Sequence, residues 1–178
     1  MKAFVMREIG RVGFMEKPVP QAGPGDAVVQ TIRALICTSD SHTVQGGIGP
    51  RENLTLGHKA VGVVHAVASE VKDFRPGDRV LVGAITPEWG DRASQNGLPS
   101  QSGAPLVGFK FVNSKDGVFV DYFHVNEADA NLAKIPDAIS DEWRSTAQTC
   151  SRPASWGRRR GTSRLAEPWL SSPRARWD

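Results

Sequence analysis

Two cysteines, one tyrosine and no long apolar run set the first limits on this 178-residue chain. Two thiols cannot build the disulfide framework of a small secreted domain, and their scarcity predicts a reducing, cytoplasmic compartment. No apolar stretch approaches the roughly 18 residues of a membrane-spanning helix, and residues 1–10 lack the apolar centre of a signal peptide. Glycine has no three-residue period, which excludes collagen, and no heptad pattern supports a coiled coil. The fingerprint G-x-G-x-x-G of dinucleotide-binding units is absent. What remains, with 39% hydrophobic and 23% charged residues, suits a folded chain without a membrane span.

The net charge of +3 conceals two regions. Eight of the 22 basic residues but only two of the 19 acidic ones fall in 144–178, leaving 14 basic against 17 acidic residues before them. The first 143 residues are predicted to be mainly β. Lys2 to Met6 and Val12 to Met15 flank Gly10 as a hairpin. Ala27 to Ile36, Ala60 to Ala68, Arg79 to Val82 and Gly117 to Val125 read as further strands, separated by Gly- and Pro-rich turns. Helical periodicity is scarce before residue 126. Short strands at this spacing predict a small, partly open β-barrel.

The chemistry gathers in two places. Cys37-Thr38-Ser39-Asp40-Ser41-His42 follows one strand, and Gly57-His58-Lys59 precedes the next, 21 residues separating Cys37 from His58. A thiolate and an imidazole are zinc ligand types, and a catalytic zinc takes three protein ligands while keeping one position open. Ser39 and His42 lie close enough in sequence to relay a proton from such a site. Taken alone, the same residues also suit a buried apolar thiol and a structural histidine.

Resemblance tips that balance. The chain resembles the zinc-dependent medium-chain alcohol dehydrogenases, and within them the bacterial, tetrameric, NADP-dependent secondary alcohol dehydrogenases. The segments that carry the likeness are Cys37-Thr38-Ser39-Asp40-Ser41-His42-Thr43-Val44, Leu56-Gly57-His58, Val71 through Val80, Ile85-Thr86-Pro87-Glu88-Trp89, Lys115-Asp116-Gly117-Val118-Phe119 and Tyr122-Phe123-His124-Val125-Asn126. They run in register from Met1 to about Glu142. The resemblance implies a GroES-like barrel over residues 1–143. It implies Cys37 and His58 as zinc ligands, Ser39 and His42 as the proton relay, and Ala84, Ile85 and Phe109 along a pocket for a secondary alcohol or ketone. Zinc and NADP would be the cofactors.

Three departures qualify it. Lys59 stands where the family has a glutamate, and a cation beside zinc opposes the metal unless its side chain swings to solvent. Ala68 and Val120 replace customary glycines, which predicts strain at two turns. No cysteine falls in residues 86–112, so the four-cysteine structural zinc of some relatives is not expected.

After Trp143 the pattern ends. Residues 144–178 contain no Val, Ile, Met, Phe or Tyr, and they spell neither the family's third zinc ligand, an Asp, nor its Rossmann cofactor domain. The tail is read as disordered and as the family gene translated out of frame. Ala147 through Arg158 can be encoded so that a two-nucleotide shift gives Ala-Asp-Met-Leu-Ser-Thr-Gly-Phe-Met-Gly-Ala, the family's segment around that Asp. Arg164 through Trp177 can be encoded so that the same shift gives Ala-Arg-Gly-Thr-Val-Ala-Val-Phe-Ala-Gln-Gly-Pro-Val, a strand running into a glycine turn. The function expected is thus that of an alcohol dehydrogenase fragment with little or no activity of its own. Weighed against it are a non-catalytic GroES-like binding module, an arginine-rich nucleic-acid binder acting through Arg158-Arg159-Arg160, a zinc-free reductase of the same superfamily, and Cys150 as a substitute ligand.

Overall fold

A computed structural model describes residues 1–104 and 107–136. The chain opens with a hairpin of β1 (Lys2–Glu8) and β2 (Arg11–Glu16), paired from Lys2↔Glu16 to Glu8↔Arg11 with a bulge between Met6 and Glu8. Gly10 makes the turn at φ 78°, a backbone state that costs a residue without Cβ little. There follow β3 (Ala27–Ala34), α1 (Thr38–Val44), β4 (Leu54–Thr55), β5 (Ala60–Val67) and β6 (Arg79–Val82). After them come α2 (Arg92–Gln95), a 3-10 turn at Pro99–Gln101, β7 (Tyr122–Val125), α3 (Ala128–Asn131) and β8 (Leu132–Lys134).

The strands form two antiparallel sheets, ordered β2-β1-β4 and β7-β3-β5-β6-β8. Residues 117–121 stitch one to the other. Phe4 N donates to Phe119 O (2.8 Å), Ala3 bridges Val120, and Thr31 N donates to Asp121 O (2.9 Å). The result is the partly open barrel that the sequence predicts. Val5 and Met6 of the small sheet, with Leu56 just after β4, share a single core with Val29, Val64, Val80, Val82, Phe123, Val125 and Leu132 of the large one. Each such fully buried aliphatic side chain contributes roughly 1.5–3 kcal/mol.

Three expectations need correction. Gly117 to Val125 is not one strand: β7 begins at Tyr122, and the buried set passes from Val118 and Val120 to Phe123 and Val125, a change of parity. The segment bonds first to β1 and the loop after β4, then to β3, so it turns over between the sheets. Helix α1 has no apolar stripe, since its buried residues are Asp40 and Thr43; hydrophobic periodicity could not reveal it. Neither Ala68 nor Val120 takes the positive φ that would favour a glycine there. The positive-φ residues other than glycine, among those described, are Asn53, Val112 and Glu127.

The boundary expected near residue 143, the tail 144–178 and Cys150 lie outside the described residues.

Candidate functional site

Sheet register brings the candidate residues to one end of the barrel. β3 and β5 are antiparallel with Ala34 opposite Ala60, and Leu35 N donates to Lys59 O at 3.1 Å. The chain leaves β3 and reaches Cys37 three residues later; it passes His58 two residues before entering β5. The two side chains must therefore leave the same edge. Val82 also pairs with Ala60, so Ala84 and Ile85 depart from β6 at that end too. Gly57 takes φ +88°, and a Cβ there would run into the Phe119 ring. Only glycine fits this approach to His58.

Cys37 is the N-cap of α1, with extended backbone at φ −116° and ψ 156°. Asp40, three residues on, closes the first turn: its Oδ2 accepts from Cys37 N at 2.8 Å, and Asp40 N donates to Cys37 O at 3.0 Å. The other oxygen, Oδ1, lies 3.0 Å from His58 Nδ1. One carboxylate, only 5% exposed, thus positions both candidate ligands. With Nδ1 committed to Asp40, Nε2 is the nitrogen that faces Ser39 Oγ, 3.3 Å away. This is the orientation a carboxylate imposes on a metal-binding histidine.

Lys59 has not swung to solvent. It is 8% exposed, and its Nζ donates to Cys37 Sγ at 3.3 Å. The polar surroundings act on both candidate ligands. Hydrogen bonds from the Ser39 side chain and backbone hold the Cys37 thiol down to about 6; burial opposes them, and Lys59 and His58 add to the lowering. At His58 burial works against the charged ring, but the hydrogen bond and charge of Asp40, with the Cys37 contact, outweigh it and raise its pKa above the ordinary value.

Toward zinc this donor set is incomplete. Cys37 and His58 are suitable first ligands, and Asp40 is a suitable second-shell group. Among the described residues, however, no cluster of three or more His, Cys, Asp or Glu side chains could hold a metal ion. An ammonium already sits on the thiolate. The residues described do not fit a three-ligand catalytic zinc.

The remaining predicted residues are placed more loosely. His42 is exposed on α1, and no side-chain hydrogen bond ties it to Ser39 or His58 among the described residues. Ala84 and Ile85 are half-buried, and Phe109 is exposed. Thr86 N donates to Gly108 O at 3.0 Å, which draws the Phe109 loop toward the loop after β6. A groove of about 490 Å³ opens elsewhere, between Pro18, Thr55, Lys115, Val120, Tyr122 and His124, and none of the predicted site residues lines it. The residue that sequence reasoning missed is Asp40. Its signal was available as an acid at the capping-box spacing after Cys37.

Fold and site together define a GroES-like barrel that offers a cysteine and a carboxylate-backed histidine at one rim. The family model for the alcohol dehydrogenase GroES-like domain matches residues 23–137, and the chain belongs to this family. It is 54% identical over 140 residues to a probable NADP-dependent isopropanol dehydrogenase of Mycoplasma pneumoniae, covering 78% of this chain and 40% of that protein. It is 56% identical, again over 140 residues and with the same coverage, to the NADP-dependent isopropanol dehydrogenase of Thermoanaerobacter brockii. The chain therefore spans about 40% of the length of these relatives. Among solved structures, the apo form of zinc dependent alcohol dehydrogenase 2 from Streptococcus pneumonia aligns with a TM-score of 0.72 at 25% identity, covering 82% of this chain and 41% of that one. Alcohol dehydrogenase TADH from Thermus sp. ATN1 aligns with a TM-score of 0.71 at 29% identity, covering 80% and 42%. Among the described residues no helix is long and apolar enough to cross a membrane.

Proposed function

We propose that these residues are the substrate-handling domain of an NADP-dependent dehydrogenase of small secondary alcohols and ketones, acting in the cytoplasm. The observation that carries the reading is the meeting of Cys37, His58 and Asp40 at one barrel rim in a chain that, over 140 of its residues, is more than half identical to isopropanol dehydrogenases. Zinc, the metal of this class, polarises a substrate oxygen when bound. In this chain Cys37 and His58, with Asp40 fixing the His58 ring, are the two ligand types such a metal would need, while the described residues supply no third ligand and Lys59 sits on the sulfur. Ser39, beside Nε2, would hold a proton at the rim, and the exposed His42 on the next turn of α1 would exchange it with solvent. Ala84, Ile85 and Phe109 bound the alkyl side of the substrate.

The 178 residues spell no dinucleotide fingerprint. The chain by itself is thus proposed to be inactive, with residues 144–178 an out-of-frame reading of the segment that would begin the cofactor domain. A chimera tests the reading. Residues 1–143 carrying Lys59→Glu, which removes the cation from the thiolate, are joined to the C-terminal part of an NADP-dependent isopropanol dehydrogenase. The chimera should reduce NADP with 2-propanol, and Cys37→Ser should lower that rate by about 100-fold, the upper end of what disturbing the groups around a metal costs. A folded chimera that binds NADP and turns over no secondary alcohol contradicts the reading.

A further inference from the structure

We propose that Lys59 occupies the cation position of the Cys37–His58 site, so that this chain takes up a divalent metal only by displacing its own side chain. The inference rests on the dehydrogenase reading, in which Cys37 and His58 are a metal-facing pair.

Burial and contact define the arrangement. A lysine that is 8% exposed must give its ammonium a partner, because an unpaired buried charge is strongly unfavourable. The acceptor that Nζ reaches is Cys37 Sγ at 3.3 Å. The backbone that carries this side chain is fixed at the rim, since Lys59 O accepts from Leu35 N at 3.1 Å and the next residue, Ala60, lies in strand register with both Ala34 and Val82.

Charge points the same way. At this rim Lys59 faces Cys37 and Asp40 faces His58, so each acidic group already has a basic partner. A zinc ion lies about 2.3 Å from a thiolate sulfur. It cannot share that sulfur with an ammonium without strong like-charge repulsion. The described residues offer no further carboxylate, thiol or imidazole to complete a metal cluster. A metal arriving here would have to expel Nζ and would leave the Lys59 charge without its acceptor.

The test uses the full 178-residue chain and cobalt(II), whose thiolate charge-transfer absorption reports a bond to Cys37. Zinc affinity is measured alongside by competition with a chromogenic chelator. The wild-type chain should show the band only at high metal concentration. Lys59→Glu should show it with affinity about 10–100-fold tighter, the range in which groups around a metal tune its binding. Lys59→Met, which keeps the apolar stem and removes the charge, should fall between them. Equal affinities in wild type and Lys59→Glu overturn the proposal, as does failure of a folded Lys59→Glu chain to bind metal. The control Cys37→Ser in the Lys59→Glu background should abolish the band. If it leaves metal affinity unchanged, the reading of Cys37 as a ligand fails instead, and the two failures are distinguishable. Should Lys59→Glu not fold, the wild type still decides. Amine-directed labelling of Lys59 should accelerate as saturating cobalt builds the band, and a band that grows with no change in labelling contradicts displacement.

Discussion

Asp40 Oδ1 lies 3.0 Å from His58 Nδ1, joining a seven-residue helix to a loop 18 residues away in sequence. Because Asp40 Oδ2 also accepts from Cys37 N, the helix start and the histidine are one mechanical unit. Asp40→Asn keeps the size and weakens the union. The folded-state pKa of His58 is raised, so its contribution to stability is full below the unfolded value of 6.5 and disappears as pH rises through the folded value. In the metal-free chain, urea unfolding should show Asp40→Asn less stable by about 1–3 kcal/mol at acidic pH. The gap should narrow above neutrality. A gap independent of pH would show that the pair is not charged in the folded chain.

Gly57 sets the approach to His58 from the other side. Gly57→Ala must adopt a strained positive φ and also press a methyl group into the Phe119 ring. Destabilisation of about 2–4 kcal/mol is expected from the two effects together, measured as a lower denaturation midpoint with unchanged slope. Gly10→Ala is the control: its positive φ is similar, but no atom lies within 4 Å of the added methyl, so its cost should be smaller.

Lys115 provides a separate pH signature. Its Nζ donates to Asn126 Oδ1 at 2.8 Å and to His124 O at 3.2 Å, and it stands 4.4 Å over the Phe111 ring. Burial, and after it the charge of Lys110, pull its pKa down to about 7 against the opposing pull of Asp26. Between 7 and the unfolded value of 10.5 the unfolded chain binds the additional proton, so stability rises with pH across that window. Lys115→Met should remove this rise. Equal slopes of stability against pH in the two proteins would refute the assignment.

The gene offers a test of the tail. If residues 144–178 are an out-of-frame translation, the nucleotide sequence near codons 143–147 should need one inserted or deleted base to open a long frame. That frame should begin close to Ala-Asp-Met-Leu-Ser-Thr-Gly. A gene in which no such change restores a long frame disproves it.

The strands were legible because each rests on local pattern, whereas the pairing of Cys37 with His58 was expected from the family resemblance and not from the residues alone. A short apolar run before Gly10 marks β1, the valine run marks β5, and Pro76-Gly77-Asp78 announces β6. Helix α1 was not legible, since its seven residues bury a carboxylate and a threonine instead of an apolar stripe. The turnover at Val120–Asp121 was hidden for a different reason. Continuous β-type residues give no sign that one segment serves two sheets. The orientation of Lys59 lay beyond sequence altogether, because a thiolate acceptor and open solvent are both satisfactory for an ammonium until the fold brings Cys37 beside it.

Two loops at one barrel rim bring the Cys37 sulfur against the His58 ring. NMR titration of the His58 imidazole in the metal-free chain, alongside Cys37→Ser and Asp40→Asn, tests it most directly. The wild-type ring should titrate above 6.5, and both substitutions should lower that value, because the hydrogen bonds to Asp40 and Cys37 are what overcome its burial. A His58 that titrates at the ordinary value and does not respond to Cys37→Ser would contradict the account.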